Sequence, residues 1–246
     1  AYNFIVLYEI MDLDRVCLVR SAESHINLET RILSEPIESS IDLVTARTLY
    51  QYGNYSLAIK YFNKVLHDEI IPINDARMMA YCYVSIADSI EMRKKGSNHD
   101  ESMEIYKLAI RLLTHSVMAL AKSKNLSSIG EFKEDLVNVY LKIADVYLLG
   151  EWIFTGDEAL SRRYEQGVEY LVSGIINYIG LKEPSEKTTS KILNTSTEWF
   201  NKVSKHERSR YLLSTDLGHD IKNFIDKLVK VRYRVRDRDN DVETLN

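Results

Sequence analysis

The feature that most constrains the fold is the stretch Leu43–Leu66, whose pattern indicates two short helices joined by a turn at Gly53 and Asn54. Apolar residues recur at helical spacing before the turn and again after it, where one stripe is formed by Tyr55, Ala58, Ile59, Phe62, Val65 and Leu66. Gly53 adopts a positive φ at little cost, so it ends the first helix. Ala46 and Ala58 are small and lie opposite larger aromatic residues, which lets the helices approach closely. The stretch therefore predicts an antiparallel helix hairpin.

The spacing of this stripe resembles the tetratricopeptide repeat (TPR), in residues Gly53, Tyr55, Ala58, Phe62, Val65 and Leu66. The aromatic residue that the family places early in its first helix is missing, because Asp42 stands there. A single hairpin of this kind cannot bury its apolar face, so it requires stacked neighbours. We therefore predict an all-α fold, a TPR-like α-solenoid of stacked antiparallel helix hairpins that forms one helical-repeat domain over residues 1–246.

Breaks in the apolar periodicity divide this predicted domain. The best repeat spans 41–67 with Ser39 or Ser40 as its N-cap, and further helix pairs span 74–121 and 131–180. Tyr106 and Ala109 lie at helix-packing spacing in the second pair. Asn74 or Asp75 is the expected cap of that pair, and residues 122–129 are expected to form a polar loop. Further helices cover 185–235, and a charged tail, 236–246, is expected to fray.

Glycines mark the bounds and contacts of one later helix. Gly156 and Asp157 are predicted to begin a helix that runs to Ile179, and Gly180 is predicted to end it. Gly167 and Gly174 lie seven residues apart inside this helix, where each costs ~1 kcal/mol relative to alanine. The sequence therefore predicts that another helix crosses close to these two glycines.

Composition restricts the function classes. The 246 residues are 45% hydrophobic and 28% charged, with a net charge of −4, which does not favour a generic nucleic-acid or membrane binder. No apolar run reaches the ~18 residues that span a bilayer. Cys17 and Cys82 lie far apart in apolar helical runs, as expected for buried thiols in a reducing compartment. We therefore expect an intracellular protein, nuclear or cytoplasmic.

No set of residues in the sequence predicts catalysis, a cofactor or a metal site. Asp216–Asp220 has a spacing similar to the metal-binding Asp-Phe-Gly motif of kinases, but the other kinase residues are missing at usable spacing. The motif is therefore interpreted as a helix break at Gly218. We expect no catalytic residues in this chain.

Two groups of residues are candidates for contact with a partner. Trp152 and Phe154, between two glycines, either pack into the next repeat or form an exposed aromatic anchor. The basic cluster that includes Lys230, Arg232 and Arg234 forms either a solvated face or a contact for a phosphate or an acidic partner. Interleaved aspartates dilute this positive charge, which argues against a nucleic-acid partner.

Beyond the single repeat, the order of units resembles the FAT region of phosphatidylinositol-3-kinase-related protein kinases of the ATM type. Three blocks carry the resemblance: Ala46–Leu66, Ala80–Ala109 and Val139–Leu148. The Gly-Trp of the family's second block is absent, since Ser85–Asp88 stand there. The resemblance implies a non-catalytic scaffold that clamps a serine/threonine kinase domain in cis, contributes to dimer contacts, and takes part in DNA-damage and telomere signalling.

A free-standing TPR adaptor that binds a peptide or helix of a partner is the alternative. The two hypotheses differ in whether a kinase domain belongs to the same polypeptide, outside this chain. Residues 1–6 begin in an apolar helical pattern without Met, which predicts a segment of a longer protein. The sequence gives neither the partner's identity nor the oligomeric state.

Overall fold

The computed structural model describes residues 32–33, 40–68, 70–93, 99–124, 126–150 and 156–243. In chain order the elements are β1 (Ile32–Leu33), α1 (Ile41–Gln51), α2 (Tyr55–Asp68), β2 (Ile71–Pro72), α3 (Ile73–Arg93), α4 (Asp100–Lys122), α5 (Leu126–Leu149), α6 (Asp157–Ile179), α7 (Glu186–Lys205), a 3₁₀ helix (Glu207–Ser214) and α8 (Asp216–Glu243). The chain divides into two compact units, whose boundary lies inside α5 between Val139 and Tyr140.

Local side-chain chemistry fixes the ends of the α1–α2 hairpin. The hydroxyl of Ser40 accepts a hydrogen bond from the backbone N–H of Leu43 at 3.3 Å, so the predicted N-cap is confirmed. Gly53 has a φ of +74°, a conformation that most L residues avoid. Asn54 Oδ1 accepts from the N–H of Leu57 at 3.3 Å and caps α2. The turn is tight because these two residues satisfy the two helix ends.

The first unit has a continuous apolar interior between neighbouring helices. α1 packs on α2, α2 on α3, and α3 on α4. The predicted repeat-packing residues fall as follows: Ala46, Ala58, Phe62, Leu66, Tyr106 and Ala109 are buried, Tyr55 is half-buried, and Gly53 is exposed in the turn. Phe62 is among the largest fully buried side chains. Its burial places the apolar stripe of α2 in the interior of this unit.

A two-residue parallel pairing adds to the first unit. Ile32 pairs with Ile71, and Leu33 pairs with Pro72. Ile32 and Ile71 are buried, and β1 also lies against α3 and α4. The pairing therefore ties a segment that precedes α1 to the connection between α2 and α3.

Three helix boundaries differ from the sequence prediction. α3 begins at Ile73, directly after Pro72, so Asn74 and Asp75 lie in its first turn rather than at its cap. α5 begins at Leu126, so the loop predicted over 122–129 is wrong. The described turn lies at residues 123 and 124, where Lys124 has a φ of +59°. The α8 helix continues to Glu243, beyond residue 235 where the last predicted helix ends, and the fraying expected of residues 236–246 stays a prediction.

The second unit contains the C-terminal part of α5 with α6, α7, the 3₁₀ helix and α8. α6 begins at Asp157 and ends at Ile179 with Gly180 as its C-cap, which confirms the predicted bounds. A Cβ on Gly167 would lie 3.0 Å from Tyr147 Cβ, and one on Gly174 would lie 3.4 Å from Leu141 Cδ2. The predicted close helix approach at both glycines is therefore confirmed.

The break predicted at Gly218 lies slightly earlier in the chain. Thr215 separates the 3₁₀ helix from α8, and its hydroxyl accepts a hydrogen bond from the N–H of Gly218 at 3.2 Å. Gly218 is the third residue of α8 and is buried. It is therefore required for close packing in the first turn, and the break itself is capped by Thr215.

The described part of the chain is all-helical apart from the β1–β2 pairing, and its helices pack against their neighbours. This confirms the all-α class. The TPR-like solenoid and the single domain over residues 1–246 remain predictions.

Candidate interaction surface

A bidentate ion pair joins α1 to α3 in the first unit. Arg47 Nε donates to Asp75 Oδ1 at 2.6 Å, and Arg47 Nη2 donates to Asp75 Oδ2 at 2.7 Å. The Asp75 side chain is 1% exposed and that of Arg47 is 33% exposed. These hydrogen bonds raise the pKa of Arg47 above its ordinary value. The pair satisfies a buried carboxylate, so it fixes the distance between the two helices.

Arg77 lies at the centre of a second polar group, here called the Arg77 cluster, which comprises Arg77, Tyr81, Glu131, Phe132 and Asp135. Arg77 Nε donates to Asp135 Oδ2 and Arg77 Nη1 to Glu131 Oε2, both at 2.6 Å. Tyr81 donates its hydroxyl to Asp135 Oδ1 at 2.7 Å. The guanidinium carbon lies 5.0 Å from the ring centre of Phe132 and 5.8 Å from that of Tyr81. The cluster therefore joins α3 to the start of α5.

The electrostatics of the Arg77 cluster follow from these contacts. Burial alone would lower the pKa of Arg77, but the hydrogen bonds and charge of Asp135, with Glu131, raise it above its ordinary value. Burial, with the hydrogen bond to Asp135, raises the pKa of Tyr81 to about 12. Arg77 is therefore a permanent cation and Tyr81 a neutral donor at physiological pH.

The Arg77 cluster is accessible from one side. The side chains of Arg77 and Glu131 are 25% and 66% exposed, and Tyr81 is 39% exposed. One arginine faces two carboxylates, so the group carries a net negative charge when both are ionised. A half-exposed tyrosine beside a fixed arginine is a composition typical of protein–protein contact sites.

A third polar group closes the α3–α4 hairpin. Glu91 accepts from Ser102 Oγ and contacts His99 Nδ1 at 2.6 Å. Tyr106 donates its hydroxyl to Asp88 at 2.6 Å. His99 and Ser102 are buried, so the group holds the end of the hairpin rather than forming an open site.

The second unit contains Asp157, His206 and Ser209, residue types that form catalytic triads elsewhere. His206 Nδ1 lies 2.9 Å from Ser209 Oγ, while His206 Nε2 lies 3.9 Å from Asp157 Oδ1. Ser209 is 0% exposed and donates to Ser161 Oγ at 3.2 Å. The serine is inaccessible to a substrate, and the ring contacts the serine through Nδ1 rather than Nε2. The group therefore packs the 3₁₀ helix against α6.

A half-buried carboxylate lies on the α5 part of the second unit. Asp145 Oδ1 accepts from Thr195 Oγ1 of α7 at 2.9 Å. Burial raises the pKa of Asp145, and the Thr195 hydrogen bond and the charges of Lys191 and Lys142 offset this shift only in part. The hydrogen bond between Thr195 and Asp145 joins α7 to α5, but partial removal of the Asp145 carboxylate from water costs free energy.

Few of the predicted partner-contact residues have a described position. Lys230 is exposed on α8. Arg232 and Arg234 belong to α8, but their side chains lie outside the described residues. Trp152 and Phe154 also lie outside the described residues. Their roles as partner contacts stay predictions.

Sequence reasoning missed the Arg77 cluster. Arg77 and Tyr81 are four residues apart, as are Glu131 and Asp135, so each pair shares one helical face. This four-residue spacing is the sequence signal that could have identified each of the two polar helix faces. The pairing itself joins residues more than 50 positions apart, with a separation of 54 for Arg77 and Glu131, which periodicity within one helix does not reveal.

No protein-family model, curated protein sequence or solved structure matches this chain. Among the described residues, no three His, Cys, Asp or Glu side chains are grouped so that they could hold a metal ion. In the same part of the chain, no helix combines the length and the apolar character needed to cross a membrane. Burial raises the pKa of the Cys82 thiol to about 12, so this thiol is a poor nucleophile at neutral pH.

Proposed function

We propose that this chain is a non-catalytic helical scaffold that acts by binding other protein segments. The proposal is supported by the cross-helix ties of the first unit. Asp75 of α3 holds Arg47 of α1, and Arg77, two residues further on, holds the start of α5. These contacts thereby hold α1, α3 and α5 together, although no two of these helices follow one another directly in the chain. A surface fixed in this way can bind a partner without a free-energy cost for rearrangement.

The proposed contact surface is centred on the exposed part of the Arg77 cluster. Glu131 and Tyr81 present a carboxylate and an aromatic hydroxyl from different helices, held by the same arginine and aspartate. A partner with a basic and apolar segment complements this net negative, aromatic surface. Binding there requires no catalytic group.

A narrower proposal places the chain in the FAT region of an ATM-type kinase, where it would position a kinase domain in DNA-damage and telomere signalling in the nucleus. This proposal rests on the three sequence blocks Ala46–Leu66, Ala80–Ala109 and Val139–Leu148. The helical packing of the described residues is compatible with it.

The second candidate is a free-standing TPR adaptor. One specific observation favours it: the α1–α2 hairpin has the tight Gly53 turn and the buried Ala58 and Phe62 that its TPR-like spacing requires. In this case the partner is a peptide or helix rather than a kinase domain in the same polypeptide.

Affinity capture with matched variants tests the general proposal. The unchanged chain of residues 1–246 is compared with Glu131→Lys and with Glu158→Lys. The second variant is the control, because it reverses a 70% exposed glutamate that also pairs with an arginine. We expect at least one protein to be captured equally by the unchanged chain and the control and to be lost with Glu131→Lys. If no captured protein depends on Glu131, the proposed contact surface is wrong.

The natural polypeptide separates the narrower proposal from the adaptor. An antibody against residues 186–205 is used to isolate the protein that contains this sequence, and its mass and peptides are measured. A polypeptide with a kinase domain, much heavier than the chain's 28.5 kDa, supports the FAT proposal. A polypeptide near 28.5 kDa contradicts it and supports the adaptor.

A further inference from the structure

The 3₁₀ helix Glu207–Ser214 is long for its kind and lies between two residues with extended backbone. It has eight residues, whereas 3₁₀ runs longer than about four residues are uncommon because their hydrogen bonds have poor geometry. His206, before it, has a φ of −96° and a ψ of 112°, and Thr215, after it, has a φ of −79° and a ψ of 159°. Each of these two residues interrupts the helical backbone, so each is a position at which the chain direction can change.

The 3₁₀ helix and α8 are joined tightly to each other. The Thr215 hydroxyl accepts from the N–H of Gly218 at 3.2 Å and donates to the carbonyl oxygen of Leu212 at 2.6 Å. Because Gly218 has no Cβ, its backbone packs directly on that of Leu212 and Leu213. The two helices, residues 207–243, are therefore treated as one body and are here called the strap.

Few buried side chains hold the strap to the rest of the second unit. In its 3₁₀ helix, Ser209 and Leu212 are the buried residues. Among the side chains of α8 that the structure describes, only Gly218 and Ile221 are buried. α6, in contrast, buries eight residues along its length. An element with so few buried contacts separates at a lower free energy than the helices of the core.

A chain of hydrogen bonds supplies much of the attachment between the 3₁₀ helix and α6. Ser209 Oγ lies 3.2 Å from Ser161 Oγ, and Ser161 Oγ lies 3.5 Å from Glu165 Oε1. Tyr211 donates its hydroxyl to the same glutamate oxygen at 2.6 Å. His206 Nδ1 lies 2.9 Å from Ser209 Oγ. The chain of hydrogen bonds therefore runs from the end of α7, through the 3₁₀ helix, to α6.

The carboxylate of Glu165 determines the direction of these hydrogen bonds. An ionised carboxylate only accepts, so Ser161 donates to it and accepts from Ser209. The single hydroxyl proton of Ser209 is used in this way, so Ser209 accepts from the Nδ1–H of His206. Water can replace every one of these partners. Separation of the strap therefore costs less free energy than exposure of an apolar core of similar size.

We propose that the strap opens as one body, turning about His206, while α6 and α7 stay packed on each other. Opening breaks the hydrogen-bond chain and exposes the buried Leu212 and Ile221. It also separates Phe224 from Tyr178, whose rings meet edge to face with their centres 5.9 Å apart. The second unit then has a closed form and an open form, and Ile221 and Phe224 are fully accessible to a partner only in the open form.

α6 and α7 keep their own contacts in the open form. α6 packs on α7, and Trp199 of α7 donates its Nε1–H to the carbonyl oxygen of Tyr164 at 3.4 Å. Gly167 and Gly174 place α6 close to Tyr147 and Leu141 of α5. None of these contacts involves a residue of the strap, so the three helices remain joined when the strap separates from them.

Native-state hydrogen exchange of the unchanged chain, at urea concentrations too low to unfold it, tests the proposal. Amides in peptides covering 207–214 and 216–224 are expected to exchange roughly a hundredfold faster than those of α6 and α7. Both strap peptides should share one dependence on urea, which is smaller than that of α6 and α7 because less surface is exposed. Equal rates and equal urea dependence in the strap, α6 and α7 would overturn the proposal, as would different urea dependences for the two strap peptides.

A disulfide bond between the strap and α6 provides a second measurement. The double variant Ser161→Cys, Ser209→Cys places two sulfurs where hydroxyl oxygens lie 3.2 Å apart, and peptide mapping verifies the bond. In the oxidised chain, exchange of both strap peptides is expected to slow to the rate of α6. The reduced form of the same variant is the matched control and is expected to retain fast exchange. Strap exchange that is unchanged by oxidation would contradict the proposal, since residues 161 and 209 would then not separate.

Discussion

Gly218 lies directly against Leu212: a Cβ on Gly218 would be 2.3 Å from the Leu212 carbonyl oxygen and 2.6 Å from Leu213 Cα. These are backbone atoms, so a larger residue cannot be accommodated by a side-chain rotation. The first turn of α8 and the end of the 3₁₀ helix can approach only because residue 218 has no side chain.

Gly218→Ala is therefore expected to lower the free energy of unfolding by about 3 kcal/mol, because the backbone must move apart. Gly130→Ala is the matched control, since nothing lies within 4 Å of a Cβ at that helical position. We expect the control to gain about 1 kcal/mol from helix propensity. Urea unfolding followed by circular dichroism measures both; equal effects would show that the clash is relieved.

The two glycines of α6 are expected to differ in their response to substitution. In Gly167→Ala the new Cβ meets Tyr147 Cβ at 3.0 Å, an atom fixed by the α5 backbone. In Gly174→Ala it meets the end of the Leu141 side chain at 3.4 Å. We predict a loss of about 1–2 kcal/mol for Gly167→Ala and a change within about 0.5 kcal/mol for Gly174→Ala. Thermal unfolding checks the order; a larger loss for Gly174→Ala would contradict it.

Arg47→Met is expected to destabilise the first unit because it leaves the buried Asp75 carboxylate without its bidentate partner. We expect a loss of about 3 kcal/mol in the free energy of unfolding. Arg162→Met, which breaks a pair with side chains 72% and 70% exposed, is the control and is expected to lose less than about 0.5 kcal/mol.

The double variant Arg47→Met, Asp75→Asn isolates the charge effect in the same unfolding measurement. Because the buried charge is then absent, we expect it to recover much of the loss. If the double variant is less stable than Arg47→Met alone, the main role of Asp75 is not to pair with Arg47.

Asp145→Asn is expected to stabilise the chain at pH 7 and to have a smaller effect as the pH falls. The folded-state pKa of Asp145 is raised above its unfolded value of 3.8, so the folded state binds more protons between these two values. The contribution of Asp145 to stability therefore decreases as the pH rises from 3.8 through the raised pKa. Asparagine still accepts the Thr195 hydrogen bond but carries no charge to desolvate.

Unfolding of Asp145→Asn and of the unchanged chain is compared from pH 4 to pH 7. Asp157→Asn, at a 76% exposed side chain, serves as the control and is expected to show no comparable gain at pH 7. Loss of stability in Asp145→Asn at pH 7 would show that attraction to Lys142 and Lys191 outweighs the burial of the charge.

The sequence predicted those features of the fold that depend on local signals. The Ser40 cap, the bounds of α6 and the close approach at Gly167 each follow from a residue type whose conformational preference is strong wherever it occurs. The all-helical class followed from the spacing of apolar residues. Fold class and helix ends were accessible because each depends on residues within about one turn of each other.

The features that the sequence missed depend on distant residues or on weak local preferences. The Arg77 cluster joins residues 54 to 58 positions apart, and no periodicity relates them. The loop predicted over 122–129 failed because Lys124 makes the turn with a positive φ, an unusual conformation for lysine. Ser127 and Ser128, which belong to the predicted loop, then lie in the first turn of α5.

The salt bridge between Arg47 and Asp75 also affects how the protein is made. A ribosome releases α1 and α2 before it has synthesised α3, so the emerging hairpin lacks Asp75 and the β2 segment beside Ile32. The first hairpin gains its ion pair to Asp75 only after residue 75 has left the exit tunnel. During synthesis, the earliest stable folding intermediate should therefore include three helices rather than two.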